Sequence, residues 1–402
     1  QELVARKISK RSVRFVLLVI LFPLAGRYRV MLSKCSWTRP DQLLAAQRDA
    51  PWTLIEMWRF PYEDIEDISE EEHAVRIAAT AQTERAAFAD GALAREAPMS
   101  ILEELQACLL LAFFFLAPIL IAIAPLCYGL WWRSWSAFMF AAVVTLPFYV
   151  FESDLYPGGK HNMFISKIMK YFSFRLVFSR SSKWTADRSY IHIVAPHGCF
   201  PFGGILWQCS PYLIGRYHGR AGGASVLFRI PIWRTLLRWW GSVPAKREHL
   251  EHNLRQGWHT GVAIDGIAGI FYNDPKKPQL FIKSRKGIVR LAIRTGTPLV
   301  PVYFYGSSKP FSSYGGSFLK SLSRMLRISL VIPWGRLGPF PLIPRRSPIT
   351  GVVGAAIEVE QHNDPTDKYV DEVHRRLCEE MLRTFDSTKA AYGWKDKTLE
   401  LL

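Results

Sequence analysis

The chain has 402 residues, of which 49% are hydrophobic and 13% aromatic, and this composition excludes an intrinsically disordered protein. Its formal net charge of +17 favours an anionic partner: nucleic acid, acidic lipid headgroups or a phosphorylated substrate. The six cysteines form no Cys-x-x-Cys pair, so they indicate neither a disulfide framework nor a metal site, and they favour a reducing compartment.

The first hundred residues carry no recognisable chemistry. Residues 15–26 form a short apolar stretch after a basic start, which resembles a signal or anchor segment. The stretch is shorter than the roughly 20 residues that a bilayer span needs. Residues 27–100 are mostly polar and rich in Ala and Glu, and we expect them to be helical or partly disordered. We therefore assign residues 1–100 to an N-terminal polar region.

Two uncharged apolar runs follow, over residues 105–132 and 134–151, with a single arginine between them. The first run is long enough to cross a bilayer, and Pro118 and Pro125 are expected to kink it. Tryptophans cluster at the joint, as they do in the aromatic belt of a membrane interface. We predict a membrane-embedded helical hairpin within residues 101–152, with both flanks on the cytosolic side. A buried hairpin in a soluble core is the alternative.

The remaining chain, residues 153–402, alternates strand-like and helical segments. Such alternation predicts an α/β domain with helices packed on a mixed, largely parallel sheet. The strand-like segments are YIHIVA, ASVLF, GVAID, PLVPVYFYG and SLVIPWG. The helical segments are WRTLLRWWG, REHLEHNLRQG and RKGIVRLAIRTG. A long amphipathic helix with an N-terminal cap at Asp364 is predicted to follow them.

One histidine lies in a stiff corner directly after a predicted strand. The segment APHGCFPFGG places His197 between a proline and a glycine, where the strand YIHIVA ends. Ligands of α/β folds bind at the carboxyl ends of strands, and Gly198, Gly203 and Gly204 would let the backbone approach a ligand closely. A neutral imidazole can take a proton from an alcohol at physiological pH, so His197 is a candidate general base. A turn histidine without a role is the alternative.

Other catalytic motifs are missing, and one basic cluster stands out. The sequence has no Gly-x-Ser-x-Gly elbow of a hydrolase, no His-Glu-x-x-His of a zinc peptidase and no Walker loop. Lys283, Arg285, Lys286 and Arg290 gather at a predicted helix start, where free N–H groups and the helix dipole favour an anion. An ordinary solvated basic face is the alternative interpretation of this cluster.

Five segments together resemble the type-2 diacylglycerol acyltransferase family, which includes monoacylglycerol acyltransferases and wax synthases. The resemblance covers residues 103–402 and keeps the segments in order. The segments are APHGCFPFGG, VLFRIPIWRTLLRWWGSV, IKSRKGIVRLAIRTGTPLVPVYFYG, WGRLGPFPLIPRRSPITGVVGAAIEV and DPTDKYVDEVHRRLCEEMLRTFDSTKAAYG. The resemblance implies a glycerolipid-acyltransferase-like α/β fold, with residues 153–402 as the catalytic domain behind the membrane hairpin.

The resemblance also implies an activity: transfer of a fatty acyl group from acyl-CoA to the free hydroxyl of diacylglycerol, which makes triacylglycerol. Acyl-CoA would be a co-substrate, and no cofactor is implied. The expected location is the endoplasmic reticulum membrane with a cytosolic catalytic domain, or the lipid-droplet surface; a homo-oligomer is left open. Monoacylglycerol or fatty alcohol as acceptor, and a catalytically impaired lipid-droplet homologue, are the alternatives. A nucleic-acid partner has no support, because the sequence contains no reader motif.

The residues of the family signature match this chain incompletely. Of His-Pro-His-Gly, the first histidine is Ala195 here and the second is His197, which takes the role of general base. Backbone N–H groups near Gly198 would stabilise the oxyanion. The block Gly-Gly-x-x-Glu falls on DGIAG, so that Asp265 replaces its first glycine and Gly269 its glutamate. Asp265 either supplies the missing carboxylate or caps a turn.

Basic residues are the expected ligands of the CoA phosphates, because they form charge-assisted hydrogen bonds. The candidates are Arg229, Arg234, Lys283, Arg285 and Lys286. Arg345 and Arg346 would bind either these phosphates or lipid headgroups. The acyl chains are expected to lie in an apolar tunnel that is continuous with the bilayer, which would explain the membrane hairpin.

Overall fold

The structure is a computed structural model. It describes residues 52–59, 81–82, 85–151, 154–155, 163–179, 188–210, 219–271, 274–314, 316–326 and 331–402. The apolar stretch over residues 15–26 therefore lies outside the described residues, as does the acidic cluster over residues 63–72.

The described residues alternate helices and strands from residue 163 onward. The main helices are α1 (Ile101–Trp132), α2 (Trp135–Thr145), α3 (Met163–Tyr171), α4 (Phe202–Gln208), α5 (Trp233–Trp239), α6 (Arg247–Arg255), α7 (Gly266–Phe271), α8 (Gly287–Thr295), α9 (Ser317–Leu326) and α10 (Asp367–Thr388). The strands are β1 (Trp52–Glu56), β2 (Ala81–Gln82), β3 (Arg175–Ser179), β4 (Ile191–Ala195), β5 (Gly219–Gly223), β6 (Val243–Pro244), β7 (His259–Ala263), β8 (Gln279–Leu280), β9 (Leu299–Tyr305), β10 (Ser312–Tyr314), β11 (Ile332–Trp334), β12 (Thr350–Val353) and β13 (Glu400–Leu401).

A mixed sheet forms the centre of the fold. Its nine strands follow the order β2-β1-β3-β12-β9-β4-β7-β5-β6. Strands β9, β4, β7, β5 and β6 run parallel, and β12 is antiparallel to β9 but parallel to β3. This arrangement confirms the predicted largely parallel sheet. Strands β9 and β4 are buried along their whole length, as continuous apolar runs of a sheet covered on both faces should be.

Part of the N-terminal region belongs to this sheet. Strand β1 pairs antiparallel with β3 over its five residues, and β2 extends the edge. The expectation of helix or partial disorder over residues 27–100 is therefore wrong for Trp52–Glu56. A buried ion pair holds this edge, since the Arg175 guanidinium lies 3.3 Å from the Glu56 carboxylate. The surrounding Ala/Glu-rich composition gave no indication of this short strand.

Two predicted strands have a different structure. ASVLF folds as a 3₁₀-helix over Ser225–Arg229, and the strand is the preceding GRAGG. The strand packs closely against α6, since a Cβ on Gly222 would lie 3.1 Å from the Leu250 side chain. SLVIPWG contributes β11 to a separate two-stranded ribbon with β10, not to the central sheet. An apolar run by itself does not reveal its partner strand.

Helix α1 begins with a capping box and continues through the apolar run. The Ser100 N–H donates to the Glu103 carboxylate over 2.9 Å, and Ser100 Oγ accepts from the Glu103 N–H. Pro118 has no N–H, so the Phe114 carbonyl loses its helical donor; Trp233 Nε1 of α5 donates to it over 3.0 Å. After Pro118 the helix continues through a π-helical turn over Ile119–Ile123.

The predicted hairpin is only partly supported. Helix α2 turns back and packs on the last turns of α1, where a Cβ on Gly129 would lie 3.3 Å from the Phe138 ring. Among the described residues, only α1 is long and apolar enough to cross a membrane, and α2 is shorter. A pair of spans is therefore not confirmed.

The long C-terminal helix starts slightly later than predicted. Thr366, not Asp364, is the cap of α10, and its hydroxyl accepts a hydrogen bond from the Tyr369 N–H over 3.3 Å. Asp367 then places an acidic group in the first turn, as the helix dipole favours. The helix covers β9, and Tyr305 donates to the Phe385 carbonyl over 2.6 Å.

Candidate active site

The His197 corner lies where β4 ends in the middle of the sheet. The Ala195–Pro196 peptide bond is cis, and Gly198 follows with φ of 70°. A Cβ on Gly198 would lie 2.3 Å from the Ser307 carbonyl oxygen, so no other residue fits at this position. Ser307 is the second residue after β9, the parallel neighbour of β4. The corner is therefore locked between two strand ends.

Asp265 lies at the same edge of the sheet, between β7 and α7. Its carboxylate Oδ2 accepts a hydrogen bond from the His197 backbone N–H over 2.8 Å. Only 1% of Asp265 is exposed, and burial raises the pKa of its carboxyl, against the opposing effects of His197 and of nearby backbone N–H groups. The carboxylate thus holds the backbone of the corner and lies close to the imidazole. The structure brings together His197, Gly198 and Asp265 as the sequence predicted.

The imidazole itself is oriented by its own loop. Its Nδ1 atom lies 2.9 Å from the Gly198 carbonyl oxygen. A carbonyl oxygen can only accept, so this hydrogen bond requires the proton on Nδ1. The neutral ring then carries its lone pair on Nε2, the atom that is available to take a proton. His197 is half-buried, which leaves the ring accessible to a substrate.

The two departures from the family signature are Ala195, which lies in the core, and Gly269, which lies against Asp265. Ala195 is completely buried in a core cluster with Tyr303, so its side chain faces the α10 side of the sheet. A Cβ on Gly269 would lie only 2.2 Å from Asp265 Oδ2. A carboxylate at 265 and a side chain at 269 therefore exclude each other. The chain keeps one carboxylate at this corner, four residues earlier than in the signature.

The loop after His197 joins the site to the apolar helix. The Cys199 side chain is partly buried, and burial raises the pKa of its thiol to about 11, which disfavours a thiolate nucleophile. Phe200 and Phe202 pack on Phe115 of α1 with ring centroids 4.8 and 6.2 Å apart. Phe311 also contacts Phe115, with ring centroids 5.6 Å apart. A cluster of aromatic rings thus connects the His197 corner to α1, the longest apolar helix of the described residues.

The predicted CoA-binding residues do not form one cluster. Arg285 approaches the corner most closely, since its Nη2 lies 3.4 Å from the Asp265 carbonyl oxygen. Lys286 pairs with Asp371 at 2.5 Å, and Lys283 is exposed. Arg234 instead donates to the Phe148 carbonyl over 2.7 Å and so fastens the segment after α2 to the domain.

The remaining predicted basic residues differ in their surroundings. Arg229 is exposed at the end of the 3₁₀-helix. Arg345 donates to Ser312 Oγ over 3.0 Å. The Arg346 guanidinium donates to the Ala97 carbonyl and pairs with Glu96 and Glu104. Few of its N–H groups therefore remain for a ligand. Arg290, the remaining member of the basic cluster, pairs with Asp367.

Two residues near the corner were missed by sequence reasoning. Ser307 contacts Gly198 through its carbonyl oxygen, and Lys309 lies two residues further along the chain. Neither has a motif of its own, because their importance depends on the parallel pairing of β9 with β4. The one available signal was that both follow a predicted strand end.

Comparison with known proteins places the chain in a family. The profile described as "Diacylglycerol acyltransferase" matches residues 131–402. The chain belongs to the diacylglycerol acyltransferase family. Its match starts at the end of α1 and includes the His197 corner, Asp265 and the basic segment at α8. The predicted family is thereby confirmed.

Relatives of this acyltransferase family member carry several names. The 2-acylglycerol O-acyltransferase 1 of Bos taurus is 29% identical, over 59% of this chain and 77% of that protein. Diacylglycerol O-acyltransferase 2 of Mus musculus is 26% identical, over 59% of this chain and 67% of that protein. Acyl-CoA wax alcohol acyltransferase 2 of Mus musculus is also 26% identical, over 59% of this chain and 78% of that protein.

A solved structure also aligns with the chain. It is the 1-acyl-sn-glycerophosphate acyltransferase PlsC from Thermotoga maritima, which is 18% identical. The alignment covers 70% of this chain and 99% of that one, at a TM-score of 0.33.

Proposed function

We propose that this protein is a membrane-bound O-acyltransferase that moves a fatty acyl group from acyl-CoA to the free hydroxyl of diacylglycerol. The observation that supports this most directly is the corner at β4. There an accessible imidazole is oriented by the Gly198 carbonyl, and its backbone is held by the buried Asp265. Within the diacylglycerol acyltransferase family, a fixed base at this position suits the deprotonation of an alcohol.

The proposed chemistry needs few groups. His197 Nε2 takes the proton of the acceptor hydroxyl as the oxygen attacks the thioester carbonyl. Backbone N–H groups beside Gly198 stabilise the oxyanion of the tetrahedral intermediate. The C–S bond then breaks, and the CoA thiolate leaves with the proton from the imidazolium. The nearby Asp265 carboxylate favours the imidazolium while it exists.

Association with a membrane is supported by the apolar surface around α1. Apolar residues are exposed along α1, along α2 and in the segment that follows α2, from Ile101 to Val150. Trp334, Leu337 and Phe340, on and after β11, are exposed too. Arg336 lies among them and pairs with Glu104 in the first turn of α1, so this second apolar patch adjoins the start of the apolar helix. Aromatic and basic residues together are typical of a membrane interface.

We place the protein in the endoplasmic reticulum membrane with the catalytic domain in the cytosol, and with the lipid-droplet surface as a second location. Acyl chains would reach the corner past the aromatic cluster of Phe115 and Phe200. Protease protection on intact microsomes tests the topology: both flanks of residues 101–152 should be cleaved from the cytosolic side. Release of the protein by carbonate would contradict a membrane-embedded segment.

The acceptor is tested by a competition of substrates. Microsomes that contain the protein are given labelled acyl-CoA with diacylglycerol, monoacylglycerol or fatty alcohol in turn. Diacylglycerol is expected to give the highest rate. A higher rate with either of the other two would correct the acceptor, because relatives of all three kinds resemble this chain. Failure with all three would instead support a lipid-surface protein without catalysis.

A further inference from the structure

Exposed large apolar side chains are confined to two stretches of the described residues. One is the apolar segment from Ile101 to Phe151, and the other runs from Tyr314 to Phe340. The exposed members of the second stretch are Tyr314, Met325, Ile332, Trp334, Leu337 and Phe340. Soluble surfaces scatter such side chains singly, whereas a contiguous apolar patch is typical of an interaction site.

The two-stranded ribbon of β10 and β11 presents its apolar side chains on one face. The antiparallel register places Tyr314 opposite Ile332 and Ser312 opposite Trp334. These four residues share a face, because successive side chains of a strand alternate. The rings of Tyr314 and Trp334 meet edge to face, with centroids 5.9 Å apart. The solvated face of an antiparallel sheet is normally polar, so an exposed apolar face indicates that something other than water covers it.

The loop after β11 continues this apolar surface. The Gly335 N–H donates to the Gly338 carbonyl over 2.8 Å, which closes a tight turn around Arg336 and Leu337. Leu337 and, two residues beyond the turn, Phe340 are each 65% exposed. The ribbon and its loop thus expose both aliphatic and aromatic side chains.

An ion pair fastens the loop to the start of α1. The Arg336 guanidinium pairs with the Glu104 carboxylate in the first turn of that helix. Ile101 and Leu102 of the same turn are 89% and 64% exposed. The two exposed apolar stretches therefore adjoin each other. Because α1 is long and apolar enough to cross a membrane, a bilayer around α1 would meet the loop where the helix begins.

The charge of the segment favours one kind of surface. Residues 311–350 contain six basic residues and no acidic one. Tyrosine and tryptophan beside basic residues suit the interface of an anionic bilayer, where the rings lie at the level of the headgroups. A second copy of this chain would bring the same positive charge to the contact, which opposes self-association through this face.

We infer that the β10–β11 ribbon and the loop after it form a second membrane contact, which lies in the headgroup region of an anionic bilayer beside the start of α1. The inference rests on the membrane association in the proposed function, but not on its chemistry. On the opposite face of the ribbon, Ser313 Oγ donates to the Ile270 carbonyl of α7 over 3.1 Å. Helix α7 also contains Gly269, which lies against Asp265. The contact therefore positions the elements of the His197 corner near the membrane surface.

Photo-crosslinking of the purified full chain tests the contact. The chain is made with p-benzoylphenylalanine in place of Phe340, of Leu102 in α1 or of Asp396, an exposed residue after α10. Each protein is reconstituted into vesicles of phosphatidylcholine and phosphatidylserine that contain a labelled phospholipid. We expect labelled lipid on the proteins with the probe at 340 and at 102, and none on the protein with the probe at 396. Without phosphatidylserine, labelling from 340 should fall while labelling from 102 stays the same.

The outcomes separate this contact from the proposed function. Labelling from 102 without labelling from 340 would overturn the contact and leave the insertion of α1 intact. A covalent dimer from the probe at 340, in place of labelled lipid, would overturn it in favour of self-association. An absence of labelling from both positions would overturn it together with the proposed membrane association. Labelling from 340 by a protein that transfers no acyl group would support the contact although the chemistry fails.

A kinetic measurement gives a second readout. Phe340→Glu is expected to raise the KM for diacylglycerol in vesicles about tenfold, because the contact loses a buried apolar side chain. The KM for acyl-CoA should stay within about twofold of the wild type, since acyl-CoA arrives from water. Thr398→Glu, which adds the same charge at an exposed position away from the ribbon, is the control that should change neither KM. An unchanged KM for diacylglycerol in Phe340→Glu, or an equal rise in both KM values, would contradict the contact.

Discussion

Asp265 binds the backbone of His197, the proposed base, rather than its ring. One oxygen accepts from the His197 N–H, while the Gly198 carbonyl orients the imidazole. The other oxygen, Oδ1, has no hydrogen-bond partner among the described residues. A buried carboxylate that is only half satisfied is costly for the fold, and such a cost is typical of functional sites.

Asp265→Asn is therefore expected to increase stability while it reduces activity. The amide can still accept from the His197 N–H, but it carries no charge. Because burial raises the pKa of Asp265 in the folded state, wild-type stability falls as the pH rises from the unfolded value toward the folded one. The stability advantage of the variant should thus be larger at pH 8 than at pH 5, with acyl transfer lowered at least about tenfold.

Thermal unfolding in detergent at both pH values, with an activity assay, measures this effect. Asp396→Asn, at an exposed position, is the control that should change neither quantity. Asp265→Asn could instead be less stable than the wild type at pH 8 and no more stable than the wild type at pH 5. That result would contradict a costly buried charge at Asp265.

The mutual exclusion of side chains at 265 and 269 predicts a reciprocal substitution. Gly269→Glu alone should destabilise the fold by about 3 kcal/mol or more, because its Cβ meets Asp265 Oδ2 at 2.2 Å. Alanine at 265 would not relieve this contact, since the Asp265 Cβ itself is 2.8 Å away. Asp265→Gly with Gly269→Glu should recover both stability and activity. If the double variant is as unstable as Gly269→Glu, the two positions do not share one space.

At the scale of elements, α1 depends on the catalytic domain for its backbone hydrogen bonds. Pro118 leaves the Phe114 carbonyl without a helical donor, and Trp233 of α5 supplies one. The same helix packs on Phe200 and Phe202 after the catalytic corner. The apolar helix α1 and the His197 corner are therefore fastened together by side chains from the domain.

A double-mutant cycle tests this link. Trp233→Phe should lower the free energy of unfolding by about 1–3 kcal/mol, because it leaves a carbonyl unsatisfied in apolar surroundings. Pro118→Ala returns the helical N–H, so Trp233→Phe should cost less in that background. Thermal unfolding of the four proteins in the same detergent measures the coupling. An equal cost in both backgrounds would mean that the hydrogen bond contributes nothing.

The elements that the sequence predicted well are those with a strong local pattern. The apolar run at α1, the buried strands β4 and β9 and the amphipathic α10 all appear where expected. Strand β5 was missed because GRAGG has no apolar period, and the close approach of α6 to Gly222 is visible only in the structure. Strand β1 was missed because its pairing with β3 joins segments more than a hundred residues apart.

The site itself was predictable only in part. Pro-His-Gly after a strand indicated His197, and the strand end GVAID indicated Asp265, because parallel strands bring their carboxyl ends to one edge. The hydrogen bond from the His197 backbone and the exclusion between side chains at 265 and 269 were not predictable. Each depends on distances between residues that no sequence spacing encodes.

For the whole molecule, the proposed function depends on one arrangement: the His197 corner lies at the edge of the sheet and is connected to an apolar helix. The corner brings together three strand ends, at β4, β7 and β9. Phe115 of α1 contacts Phe200 of the loop after His197 and so connects the corner to this helix. Such an arrangement suits a reaction between a water-soluble phosphorylated donor and an acceptor that is dissolved in the bilayer.

The rate of acyl transfer by His197→Ala is the most direct test of this account. With labelled acyl-CoA and diacylglycerol in the same membranes, the variant should lose about 100-fold or more in rate, while its amount in the membrane stays at the wild-type level. Cys199→Ala, two residues further along the same loop, should remain close to wild type, since burial keeps the pKa of that thiol at about 11. Near-normal transfer by a folded His197→Ala protein would contradict the assignment of the base.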